Sequence, residues 1–398
     1  MHERPKPRAI DSGPGPDDRS LGTLARVFLR LGLTAFGGPA AHIALFREEV
    51  VRRRGWLTDQ QYLDLLGAAN LLPGPTSTEV AIGIGRERAG LRGMLVTGGL
   101  FILPASLLVL AFAVAYDRLG ALPELRWLLY GLQPVVVVIV IRALMALVPT
   151  GARTPVAWAL AAVALAAGLV GLHPLLVLGG AAVVMLLARG LAGEGMAAMA
   201  GLGRLDGVGL VAGATGVAGS IALGSLFLTF LGIGMFTFGS GYLLLAFLQE
   251  AFVDTGLLSN QVLLDAVAIG QVTPGPLFTT ATFIGYQLGG VPGAVLATLG
   301  IFLPSFVLVA VVHPFLPRMR ASRRLAALLD GVNAAALGLI AAVAAELARA
   351  AFVDLWSIGI AFAAATVLLT GRAGPTVVLL GGGVAGVALG ATGFAPAI

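Results

Sequence analysis

The chain of 398 residues contains no cysteine. Disulfide scaffolds, thiolate nucleophiles and thiolate metal sites are therefore excluded. Histidine is scarce: His2, His42, His173 and His313 lie far apart, which leaves little scope for a metal centre. Lys6 is the only lysine, so no Gly-Lys-Ser/Thr phosphate loop exists. Charge is also in short supply, at 11% of residues against about 25% in ordinary soluble proteins. No cofactor is expected. The sequence pI near 10.2 does not signal nucleic acid, because the arginines sit in short loops between apolar runs, as in cytoplasmic membrane loops.

What is abundant is apolar surface. Hydrophobic residues make up 58% of the chain, and the mean hydropathy is +0.95. No soluble fold of this length hides so much, so the lipid bilayer is the partner for the exterior. Apolar runs at 24–46, 94–116, 128–148, 155–171 and 174–189 are followed by a second series at 220–247, 294–313, 328–348, 355–370 and 374–392. Each approaches the roughly 20 residues needed to cross hydrocarbon. Two further apolar segments, 60–85 and 261–285, are interrupted by Pro-Gly-Pro. Residues 1–20 read as a disordered tail without the features of a cleavable signal.

The chain repeats itself. Phe36-Gly37-Gly38-Pro39 is answered by Phe238-Gly239-Ser240-Gly241, Glu48 by Glu250, Asp64 by Asp265, and Pro73-Gly74-Pro75 by Pro274-Gly275-Pro276. Gly85, Gly90 and Gly93 return as Gly285, Gly290 and Gly293, and Leu103-Pro104 as Leu303-Pro304. The offset slides only from 202 (Phe36 to Phe238) to 200 (Gly131 to Gly331). Such register implies a duplication, with repeats at 21–190 and 208–398 joined by a polar linker at 191–207. Equivalent loops differ in charge. Arg47, Arg52, Arg53 and Arg54 follow the first span of one half, whereas Glu250 and Asp254 follow its counterpart. By the positive-inside rule the halves are inverted, a common plan among secondary transporters. Basic loops on both sides of 60–85 make that segment a re-entrant hairpin. The expected fold is an all-α polytopic membrane protein of about ten transmembrane helices and two such hairpins. It places the N-terminus outside, against the pull of Arg19, Arg26 and Arg30.

Pro-Gly-Pro breaks a helix, and helix N-termini aimed at one point make an oxyanion seat. The candidate seat comprises Pro73, Gly74, Pro75, Thr76, Ser77 and Thr78 with Pro274, Gly275, Pro276, Thr279 and Thr280. Gly37, Gly38 and Pro39 with His42, and Gly239, Ser240 and Gly241, supply the second pair of breaks. The plainer reading is that proline and glycine only kink helices for packing, but two motifs in matched register favour function. Ionisable residues inside spans cost roughly 2.5–3.5 kcal/mol on insertion scales. Glu79 is either a proton-coupling carboxyl or a helix-start acid, and Arg142 either attracts an anion or snorkels. Asp64 and Asp265, after the N-caps Thr58 and Ser259, read as first-turn acids.

These motifs resemble the chromate ion transporter (CHR) family, in its two-domain, long-chain form. The resemblance rests on Phe36-Gly-Gly-Pro-Ala-Ala-His-Ile-Ala, Glu48 to Leu57, Leu71-Leu-Pro-Gly-Pro75, Gly83-Ile-Gly85, Phe101-Ile-Leu-Pro104, Thr273-Pro-Gly-Pro276 and Phe302-Leu-Pro304. It covers roughly 24–345. It implies a non-enzymatic exporter of chromate from the bacterial cytoplasm, with sulfate as the look-alike anion and ion gradients, not ATP, as the drive; protons enter as a coupling ion only through Glu79. The competing readings are a transporter of sulfate or another oxyanion for which chromate is incidental, and an intramembrane lipid-phosphate enzyme. The enzyme would need a nucleophile with its base, which the spans do not offer. Glycines such as Gly213, Gly216 and Gly219 permit a homodimer.

Overall fold

The computed structural model describes residues 20–119, 122–190, 222–238, 241–312 and 322–392, with Phe315 and Met319. The linker at 191–207 and the residues Gly239 and Ser240 lie outside the described residues. In the first half the helices are α1 (Leu21–Thr34), α2 (Pro39–Arg47), α3 (Asp59–Ala69), α4 (Thr76–Leu119), α5 (Pro123–Gly151), α6 (Pro155–Leu169) and α7 (Pro174–Ala188). In the second they are α8 (Leu223–Phe236), α9 (Leu243–Leu248), α10 (Asn260–Val272), α11 (Thr280–Val312), α12 (Arg323–Ala351), α13 (Leu355–Leu369) and α14 (Pro375–Ala391). Short π-helical turns, Glu48–Arg53 and Gln249–Val253, extend α2 and α9.

The duplication is written into the backbone. Helix α4 breaks at Ala89 and Gly90, where Gly90 takes φ 60° and ψ −146°. Helix α11 breaks at Gly289 and Gly290, with φ 59° and ψ −152° at the second. A positive φ of that kind is open to glycine and disfavoured for other residues, which is why both positions carry it. The α3 and α10 starts also match: Thr58 and Ser259 each accept a hydrogen bond from the backbone N–H three residues on.

Among the described residues, four segments are long and apolar enough to span a bilayer: Thr76–Leu119, Pro123–Gly151, Leu277–Val312 and Arg323–Ala351. The apolar runs expected at 24–46 and 220–247 are each two helices, parted at 35–38 and 237–242. The runs at 155–189 and 355–392 form helices of 15 to 17 residues. At 1.5 Å per residue these fall short of a 30 Å core. Turns at Gly171 and Gly371, both with positive φ, and prolines at the next helix start cut them off.

Packing divides the molecule into two layers that interlock the halves. In one, α1 lies on α4, α8 lies on α11, and α4 and α11 meet. Close approach is bought with glycine: a side chain at Gly32 would strike the Leu100 and Phe101 backbone, and one at its mate Gly234 would strike Ile301. In the other layer α5 and α12 pair, and each carries the terminal hairpin of the opposite half. Helix α5 packs on α13 and α14, and α12 packs on α6 and α7. Gly131 meets the Gly382 and Gly386 backbone, and its mate Gly331 meets Ala181 and Ala182. Small residues that admit backbone contact are how helices associate in lipid, where hydrophobicity gives no preference for protein neighbours.

Candidate functional site

The four breaks in helix come together where the two halves cross. The Gly74 N–H donates to the Thr237 carbonyl at 2.7 Å, and the Gly275 N–H donates to the Ala35 carbonyl at 2.9 Å. Ala35 and Thr237 are themselves mates in the repeat. Pro73 and Phe238 form an isolated antiparallel bridge beside the first of these bonds. Each Pro-Gly-Pro turn is thus tied to the Phe-Gly break of the opposite half. Each also leans on the other half's long helix: a side chain at Gly74 would run into Ser305 and Glu79, and one at Gly275 into Ala105. Ala105 and Ser305 occupy equivalent positions after the Leu-Pro pairs.

His42 ties the first half together. Its Nε2 donates to the Ala35 carbonyl at 3.0 Å, and its Nδ1 lies 3.3 Å from Ser77 Oγ. The ring is buried, edge-on to Phe101. Helix α4 then begins at Thr76, and Thr76, Ser77, Thr78 and Glu79 are all buried. Among the described residues, the carboxylate oxygens of Glu79 and the hydroxyls of Thr78, Ser106 and Ser305 have no hydrogen-bond partner. Glu79 borders a cavity of about 10 Å³ shared with Leu65, Leu72, Gly83 and Val309, room for one water and not for a tetrahedral anion.

The second half does not copy this. Leu277–Thr279 is a 3-10 turn, and α11 starts one residue later at Thr280. The hydroxyls of Thr279 and Thr280 donate to the carbonyls of Pro276 and Leu277, so both are occupied locally. Gly241 is buried against Phe278, whereas Gly37, Gly38 and Pro39 are half-exposed and a side chain at Gly38 would meet open space. Arg142, half-buried on α5, stands near enough to Tyr242 for its charge to act on that hydroxyl, and Gln271 donates to the same oxygen at 3.0 Å. Among the described residues no ion pair reaches Arg142.

Charge differs as sharply at the helix ends. Glu49 is buried and takes Arg30 at 2.6 Å and Arg54 at 2.8 Å. Burial alone would raise its carboxyl, but the hydrogen bond and charge of Arg54, with those of Arg30, outweigh it and hold the group below its ordinary value. Arg54 and Arg88 both stack on Trp56. Arg86 donates to the carbonyls of Val309 and Ala310 and so ties the first limb of α4 to α11. In the second half the corresponding end is acidic, and Glu250 meets His173 at 3.1 Å.

Two acids change meaning. Helices α3 and α10 begin at Asp59 and Asn260, so Asp64 and Asp265 lie beyond the first turn and are not helix-start acids. Asp64 is exposed on α3. Asp265 is buried, accepting from Tyr116 at 2.9 Å and from Gln133 at 2.8 Å, both from the opposite half. The repeat marked the pair, but nothing local separates the exposed member from the one sealed inside.

A polytopic helical protein whose two halves cross through paired helix breaks has the build of a membrane transporter. The chromate transporter family model matches residues 22–186 and again 224–387, and the chain belongs to the chromate transporter family. It is 31% identical to a probable chromate transport protein of Synechococcus elongatus, over 84% of this chain and 86% of that one. It is 32% identical to a chromate transport protein of Pseudomonas aeruginosa, over 84% and 82%. An uncharacterized transporter of Methanocaldococcus jannaschii matches at 26%, over 90% and 91%. No solved structure matches the chain.

Proposed function

We propose that this protein is a secondary transporter that exports chromate, or a sulfate-like divalent oxyanion, across the bacterial cytoplasmic membrane by alternating access. The relatives named for chromate transport support the substrate class. The observation that carries the reading is the crossed pairing of Gly74 with Thr237 and of Gly275 with Ala35. It brings the starts of α4 and α11 to one place inside the protein, the only setting in which irregular backbone is tolerated at membrane depth. The unpartnered hydroxyls of Thr78, Ser106 and Ser305 are donors awaiting an acceptor. A tetrahedral dianion supplies four acceptor oxygens. Glu79, next to Thr78 and meeting Ser305 at Gly74, is a like charge to the anion, so its protonation state regulates whether the anion binds. The inverted halves rock about this crossing, a reading supported by the half-exposure of Gly37, Gly38 and Pro39 against the burial of Gly241.

Everted membrane vesicles from cells expressing the protein should accumulate chromate under an imposed ion gradient, with sulfate competing. Pro75→Ala and Thr76→Ala should each lower uptake about tenfold or more at equal expression, and Glu79→Gln should shift the anion KM. Uptake no greater than in empty vesicles would remove the proposal.

A further inference from the structure

The buried Asp265 network has no part in the anion site and needs its own account. Its two oxygens are filled by neutral donors, the Tyr116 hydroxyl and the Gln133 amide. From α4 the facing titratable group is Tyr116, itself edge-on to Phe283, and from α5 the facing polar group is Gln133. Helices α11, α12 and α14 and the turns flanking α10 also pack on that helix. Among the described residues they bring no charged group to bear on the carboxyl. An acid with no counter-ion in a sealed interior is costly as an anion and cheap as a neutral acid.

The repeat shows a second pose for the same position. Asp64, the mate of Asp265, is exposed on α3, where Gln60 donates to it, and Asn333, the mate of Gln133, is half-buried on α12. Leu63 is 51% exposed while its mate Leu264 is fully buried. Helix α10 packs on α5 and on α12, whereas α3 packs on α4. One sequence plan is therefore held in two arrangements, one hairpin docked and the other swung out.

We propose that Asp265 is a proton-binding site, reached from water when the α10 hairpin adopts the pose that α3 holds here and sealed against Tyr116 and Gln133 when it docks. A hydronium ion gives one proton to a carboxylate oxygen of Asp265, leaving water. The neutral acid then docks without an uncompensated charge, and the proton returns to water after the hairpin reopens. Docking and proton uptake are two sides of one equilibrium, so each favours the other. This rests on the transport reading for its purpose, but not for its test.

The absence of native cysteine makes that test direct. Leu264→Cys and Leu63→Cys are introduced singly, and their rates of reaction with a water-soluble maleimide are compared in detergent between pH 8 and pH 6. Taking the ratio cancels the thiol's own titration. The rate at 264 relative to 63 should fall at least threefold on acidification, and Asp265→Asn should abolish the change. A ratio independent of pH, or one whose dependence survives Asp265→Asn, overturns the proposal even if no anion is ever moved. In proteoliposomes, Asp265→Asn should lose at least tenfold in pH-gradient-driven chromate accumulation while chromate exchange at equal pH stays within threefold of wild type. Loss of both together would reduce Asp265 to a structural role. A wild type that labels as expected but moves no chromate would sink the transport reading and leave this one standing.

Discussion

The first-half hairpin α3–α4 and the second-half hairpin α10–α11 share caps, breaks and turns, yet they end in different places. On α3 only Tyr62, Leu65, Ala68 and Ala69 are buried. On α10 the buried set runs almost continuously from Leu263 to Gln271. Gly37, Gly38 and Pro39 are half-exposed, whereas Gly241 is buried. The difference cannot arise from local propensity, because the local signals repeat. It arises from docking: α10 has found the α5–α12 pair, and α3 has not. Two copies of one sequence plan are thus held in unequal poses within a single chain.

The sharpest way to break the comparison is at the turns that both halves share. Gly74 has φ 134° and its face is filled by Ser305 and Glu79. Gly74→Ala should cost about 2–6 kcal/mol from backbone strain and overpacking together and abolish transport. Gly38, with φ 82° and open space around it, pays strain alone, and Gly38→Ala should cost about 1–3 kcal/mol. Thermal unfolding in detergent ranks them; equal losses would mean that the crossing is looser than the contacts imply.

Next come the two acids. Asp265→Ala leaves the Tyr116 and Gln133 donors buried without acceptors and should cost about 1–3 kcal/mol. Asp64→Ala, at an exposed position, should stay within about 0.5 kcal/mol. If the two unfold alike, the docked and undocked hairpins are not different environments.

The smallest effect lies in the acid limb of stability. Glu49 is held below its ordinary 4.5 in the folded protein. Its contribution is whole above that pH and is lost as pH falls below it. Burial holds His173 below its ordinary 6.5. The unfolded chain therefore takes the proton first, and stability is whole above pH 6.5 and declines below it. In the fold His173 Nδ1 accepts from the Leu175 N–H at 3.2 Å, which a protonated ring cannot do. His173→Gln should flatten the melting temperature between pH 6.5 and 5, and Glu49→Gln should flatten it below 4.5. A wild-type profile level across both windows would dismiss these contacts as contributors.

Much of this was legible without coordinates. The duplication, the helix caps at Thr58 and Ser259, the Pro-Gly-Pro interruptions and the basic helix end at 47–54 are all local signals, each carried by residue types with their own conformational preference. Helix ends were less legible. The run 155–171 reads as a full span, but Pro155 and the turn at Gly171 hold its helix to 15 residues. The pairing of Gly74 with Thr237 joins residues from opposite halves, and no pattern along the chain specifies it.

The sequence by itself determined that this chain lives in lipid, that it is two copies of one plan, and where each copy must break its helices, because hydropathy, register and glycine-proline chemistry act over short distances. Only the tertiary structure decided that the breaks cross between halves, that each half carries the other's terminal hairpin, and that Asp265 is sealed while Asp64 is exposed. Those outcomes depend on which surfaces meet, and identical local instructions can be satisfied by more than one meeting.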